Sequence, residues 1–165
     1  MDRQAGDVRT MSDRNVIQTA FDEFAKTAGC SKKSGSWYRR SSETIVVLNL
    51  QKSQYGLQYY VNVALWLRAL GDEEAPKENK CQIRTRLTRL VPADLEKRLT
   101  ELLDLDSDLD EMSRQEGLLG LLREHLLPLM EASLSLESLR SGDGQDLIRR
   151  SLVTGPGQKL LAGGS

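Results

Sequence analysis

One histidine, two cysteines and eight aromatic side chains in 165 residues are what this chain has least of, and each scarcity closes off some chemistry. His125 stands alone in Leu-Arg-Glu-His-Leu-Leu, with no second histidine or cysteine near it in sequence, so it can found neither a zinc site nor a catalytic pair. Cys30 and Cys81 are far apart and belong to no CxxC pattern, which predicts reduced thiols in a cytoplasmic protein rather than a disulfide. No apolar run approaches the ~18 residues of a membrane span, and Met-Asp-Arg-Gln-Ala-Gly-Asp at the N-terminus lacks the apolar centre of a signal peptide. No glycine pattern matches a phosphate loop or a dinucleotide fingerprint. Asp104, Asp106, Asp108 and Asp110 have calcium-loop spacing, but Leu109 stands where that loop needs glycine and Gln115 where it needs glutamate. They read instead as a solvated joint with helix-capping aspartates. Ser53 beside Lys52 has no assignable base and reads as a turn residue. No cofactor, no metal, no membrane partner and no enzymatic activity are expected.

Apolar content of 39% and charged content of 28% are those of a globular protein, and the length fits one domain. The net charge of −1 hides a division. Residues 1–90 carry fifteen Lys and Arg against ten Asp and Glu; residues 91–165 carry eight against fourteen. A basic face for an anionic partner, or an acidic face for a basic one, would follow from that division.

The chain organises into three parts. Residues 1–11 are polar and aperiodic and predict a disordered extension. Residues 12–152 predict a single α+β domain, with helix and sheet over 12–90 and a helical part over 91–152. Residues 153–165, rich in glycine, predict a disordered tail. Within the domain, Ser12 is the expected cap of an amphipathic helix marked by Val16, Ile17, Ala20, Phe21, Phe24 and Ala28. About four antiparallel strands follow, over 37–40, 44–51, 58–67 and 81–88, packed against that helix and a leucine-rich C-terminal segment. Pro92 suits the first turn of a helix, and a long helix to about Leu139 is expected to be kinked at Pro128. Gly142 to Gly144 is expected to break it before a short helix over 146–152.

The segment 35–67 holds both tryptophans, all four tyrosines and an unusual number of side-chain amides inside β-runs, where strand propensity disfavours them. Placing Gln51 opposite Gln58 pairs Asn49 with Tyr60 and Val47 with Asn62. Side chains alternate across a strand. One face then carries Val46, Leu48, Leu50, Tyr59, Val61, Val63, Leu65 and Leu67. The other mixes Ile45, Val47, Asn49, Gln51, Gln58, Tyr60, Asn62, Ala64 and Trp66. A tight turn at Ser41-Ser42 sets Arg40 against Glu43 and Tyr38 against Ile45. Burying Cys81, Ile83 and Leu87 sends Gln82, Arg84 and Arg86 to the mixed face. The candidate binding surface is therefore Tyr38, Arg40, Asn49, Tyr60, Asn62, Trp66, Arg84 and Arg86, the residue types that recognition surfaces favour.

Gly35-Ser-Trp-Tyr-Arg, Asn49-Leu-Gln-Lys-Ser, Tyr55-Gly and Tyr59-Tyr-Val-Asn-Val, with Cys81-Gln-Ile-Arg-Thr-Arg-Leu, resemble a bacterial family known as domain of unknown function 4304, over about residues 12–90. The resemblance implies a small α+β domain and brings no activity, cofactor or catalytic residue with it. The residues themselves point first to a cytoplasmic module that binds a protein, with toxin neutralisation as an immunity protein one such role, since an acidic helical half suits a basic toxin. The alternative is nucleic-acid or nucleotide binding through the aromatic and arginine residues of the sheet. A small-molecule hydrolase or transferase using Tyr60, Asn62 and Arg84 ranks third, because it lacks a base.

Overall fold

The structure, a computed structural model, describes residues 14–163. Expectations placed on residues 1–13 and 164–165 lie outside it. The fold is α+β: six antiparallel strands in sequential order form one sheet, packed on its apolar face by the N-terminal helix and the C-terminal helices.

Helix α1 spans Val16–Thr27 and is capped by Asn15; Ser12, the expected cap, lies outside the described residues. Asn15 and Gln18 each bond the other's backbone N–H, a reciprocal cap that satisfies two of the helix's free donors. Ile17, Ala20, Phe21, Phe24 and Ala25 turn into the core. Gly29, at φ 85°, ends the helix in a conformation that side chains disfavour. The strands are β1 Ser31–Lys33, β2 Ser36–Arg40, β3 Thr44–Lys52, β4 Tyr59–Leu67, β5 Ile83–Arg86 and β6 Leu152–Val153. Two of the six, β1 and β6, exceed the expected four; each is too short to carry an alternation signal of its own.

Both hairpin registers differ from expectation by two residues. Gln51 opposes Tyr60 and Asn49 opposes Asn62, while Arg40 opposes Ile45 and Tyr38 opposes Val47. The turn at 41–43 is wider than two residues, and the Ser41 hydroxyl accepts from the Thr44 N–H at 3.0 Å. An even shift keeps every side chain on its face, so the two faces stand as expected.

After β5 the chain turns through Pro92 into α2, Glu96–Leu102. The joint 104–110 follows, and Asp110 caps α3, Glu111–Leu121, by accepting from Ser113 N at 2.7 Å. A wide turn at Leu122–Leu126 leads into α4, Leu127–Glu131. Pro128 accounts for that turn: its ring displaces the carbonyl one turn back, and the Leu127 N–H reaches Leu122 O instead. The helix ends there, short of Leu139; α5, Leu136–Leu139, is a separate piece. Gly142 to Gly144 does not break a helix but opens α6, Gly142–Arg149. A Cβ on Gly144 would stand 2.1 Å from Ser138 O, so this glycine is what lets α6 lie against α5. Of the expected disordered tail, Val153 pairs in β6 and Gly155–Gly163 form α7, seated where Gly157 passes close to the Gln82 side chain. Glycine there serves a close approach rather than disorder.

Arg114 is buried in this half and donates to the carbonyls of Glu101, Leu102, Asp104 and Ser107, closing the C-terminus of α2. No described helix is long and apolar enough to cross a membrane.

Candidate functional site

The eight candidate residues do share one face of the sheet, but the structure divides that face in two. The charged loop 68–80 folds back over one half. Beneath it Tyr38, Ile45, Val47, Ala64, Trp66 and Cys81 form a second apolar cluster, joined by Ala75 from the loop. The loop is held through its backbone: Tyr38 Oη donates to Pro76 O at 3.0 Å, Trp66 Nε1 to Gly71 O at 3.2 Å and Arg40 Nε to Glu74 O at 2.6 Å. Tyr38 and Trp66, expected at a recognition surface, are thereby 4% and 8% exposed. Their size and apolar character serve packing, and Arg40 serves to hold the loop. Arg68 adds an ion pair to Glu74 at 2.8 Å, which holds the Glu74 carboxyl below its usual range, mainly through that hydrogen bond.

Cys81 was expected with Ile83 and Leu87 in the main core; it lies on the opposite side, under the loop. The strand begins only at Ile83, so the alternation that placed Cys81 does not extend to it. Burial pushes the Cys81 thiol up to about 12, and that of half-buried Cys30 to about 11. Both are free thiols. Gln82 also leaves the face it was given: its side-chain carbonyl accepts from Leu67 N at 2.8 Å, completing the β4 ladder where β5 pairing stops.

The other half of the face stays open. Asn62, 6% exposed at the centre of β4, donates to Asn49 Oδ1 at 3.2 Å and to Gln51 Oε1 at 2.9 Å. Arg86 Nε donates to Asn62 Oδ1 at 3.1 Å, and Arg86 Nη2 reaches Gln51 Oε1 at 3.4 Å. The Arg86 guanidinium lies over the Tyr60 ring, 4.3 Å from its centroid. Amides that are unfavourable in isolated strands thus satisfy one another across β3, β4 and β5 and fix an exposed arginine in place. Arg84 marks the border, bonded at 3.1 Å to Glu78 at the loop's end.

Next to the open half runs a groove of about 1040 Å³, whose lining includes Gln51, Asn62, Arg84, Arg86, Arg89, Arg149 and Arg150. The last two come from the end of α6. They reach the groove because β6 pairs with β5, setting Arg84 opposite Leu152, and because Thr85 Oγ1 donates to Arg150 O at 2.8 Å. Sequence reasoning did not place Arg89, Arg149 or Arg150 here. The pair Arg149-Arg150 before Leu152-Val153 was a visible signal of a basic strand entry, but nothing in it names β5 as the partner. Two carboxylates, Glu78 and Glu96, also line the groove, leaving it cationic.

Among the described residues no group of three His, Cys, Asp or Glu side chains lies placed to hold a metal ion. No curated protein and no solved structure matches the chain. A family match does exist, over residues 21–132, which takes in most of α1, strands β1 to β5 and the helices through α4. It extends well past the segment 12–90 that carried the resemblance in sequence, and it contains every member of the amide network. With more than half of its length matched, the chain belongs to the family described as domain of unknown function (DUF4304).

Proposed function

We propose that the protein is a non-enzymatic, cytoplasmic binding module whose partner is an acidic protein surface, engaged by the open half of the mixed sheet face. One observation carries the reading: Arg86 is held by Asn62, Gln51 and Tyr60 with its outer side unengaged, on the half of the face that the loop 68–80 leaves bare. Three of its five N–H donors remain free for a carboxylate, and its rotamer freedom is already spent in the fold. Arg and Tyr in such settings are the residues that dominate interface energetics.

The finer role of toxin neutralisation draws its support from elsewhere. A basic toxin needs an acidic surface, and on this chain that is the joint around Asp106 and Asp108, not the cationic sheet face. Neutralisation lost in Asp106→Lys/Asp108→Lys and kept in Arg86→Ala would support it; the reverse pattern would sink it. A long nucleic acid suits the face less well, because Glu78 and Glu96 interrupt the positive lining.

The partner reading is tested by quantitative co-purification of the wild-type protein, Tyr60→Ala and Arg86→Ala from cells that make it. A specific partner should bind Arg86→Ala about 30-fold or more weakly, the scale of an interface hot spot. Arg123→Ala, in the wide turn Leu122–Leu126 and paired to Glu23 on α1, should bind as wild type. Equal recovery with all variants would refute the reading.

A further inference from the structure

We infer that the arginine groove beside the sheet face is a binding site for a compact organic phosphate of the nucleoside polyphosphate class. This goes beyond the protein-partner reading and does not rest on it.

The groove's five guanidinium groups are not equivalent. Arg84 is neutralised by Glu78 at 3.1 Å and Arg150 by Asp146 at 3.3 Å. Arg86 is bonded only to neutral amides, and Arg89 and Arg149 have no carboxylate partner among the described residues. Three uncompensated guanidiniums on one groove exceed what a single carboxylate takes up. They match the charge of a diphosphate, whose oxygens accept forked N–H pairs. Arg86 and Arg89 lie close together in the chain, and Arg149, sixty positions beyond Arg89, joins them because β6 pairs with β5. Convergence of like charge is unfavourable in the fold itself, so it points outward to an anion.

The walls argue for what accompanies the phosphate. The outer plane of Arg86, already seated on Tyr60, is available to a flat heteroaromatic ring, as guanidinium planes are to nucleobases. Val91, Pro92 and Ala93 give the lining an apolar stretch. At about 1040 Å³ the groove is at the upper end of small-ligand sites, and the two carboxylates on its lining disfavour a long polyanion.

The test is calorimetric titration of the full chain with ADP, and separately with pyrophosphate and with adenosine. ADP should bind with one-to-one saturation, pyrophosphate more weakly, and adenosine weakest. Arg89→Ala and Arg149→Ala should each weaken ADP about tenfold without lowering the melting temperature, since neither side chain makes a bond inside the fold. Arg123→Ala should change nothing. No saturable ADP binding, or ADP affinity unmoved in the Arg89→Ala/Arg149→Ala double variant, would overturn the site. Pyrophosphate binding as tightly as ADP would overturn the nucleoside assignment. Because Arg89 and Arg149 lie off the amide network, loss of ADP binding in their variants is separable from any loss of a protein partner.

Discussion

Asn62 is a buried side chain that shapes an exposed surface. It is buried, yet its three bonds go to groups on the open side of the sheet, and the last of them positions an exposed arginine. Replacing it with leucine keeps the volume and removes the bonds; Asn49 and Gln51 can turn to water, so the expected stability change is small, about 1 kcal/mol either way. Partner affinity should fall far more, because Arg86 loses its seat. Chemical denaturation and binding measured on the same variant separate the two. Cys81 makes a prediction in pH. Its thiol is raised from 9.0 to about 12 in the fold, chiefly by burial. The unfolded chain therefore releases this proton first as pH rises. The stability this group contributes is complete below pH 9 and is lost between pH 9 and about 12. Denaturation midpoints of Cys81→Ala should fall less steeply than wild type across that window; identical slopes would contradict the burial. At the residue scale, the identity of the face was legible because apolar and polar positions alternate cleanly in β3 and β4. Which polar residues bond to one another was not, because an amide carries no mark of its partner.

At the scale of elements, the loop 68–80 is the part the sequence concealed. Asp72, Glu73 and Glu74 read as solvent-facing, and they are exposed. The loop nevertheless covers Trp66, because it docks through the carbonyls of Gly71, Glu74 and Pro76, and carbonyls have no side-chain signature. Gly71 is the point of closest approach: a Cβ there would stand 2.6 Å from the Trp66 ring. Gly71→Ala should lift the loop, raise Trp66 exposure and red-shift its fluorescence, at a cost of about 1–3 kcal/mol. An unchanged emission maximum would mean that the loop does not rest on this ring. The same logic hid α6, where glycine reads as a break but instead permits contact with Ser138.

For the whole molecule, the C-terminal segment completes the sheet rather than trailing from it. Thr154 N donates to Gln82 O at 2.9 Å, and Arg140 donates to the carbonyls of Leu160 and Leu161 at the end of α7. Truncation after Ser151 should lower the melting temperature by roughly 5 °C or more, on a scale of 2–4 °C per kcal/mol for a chain of this size. A full-length melting temperature in the truncated chain would show that β6 and α7 contribute nothing. In the proposed reading the mixed face divides into a covered half that stabilises the fold and an open half that takes the partner. The most direct measurement pairs thermal stability with partner affinity for Trp66→Ala and Arg86→Ala. Trp66→Ala should lose about 3–5 kcal/mol of stability as a buried aromatic. Arg86→Ala should melt near wild type and lose its partner. If Arg86→Ala unfolds the protein while binding persists in the folded fraction, or if Trp66→Ala loses only affinity, the division of the face is wrong.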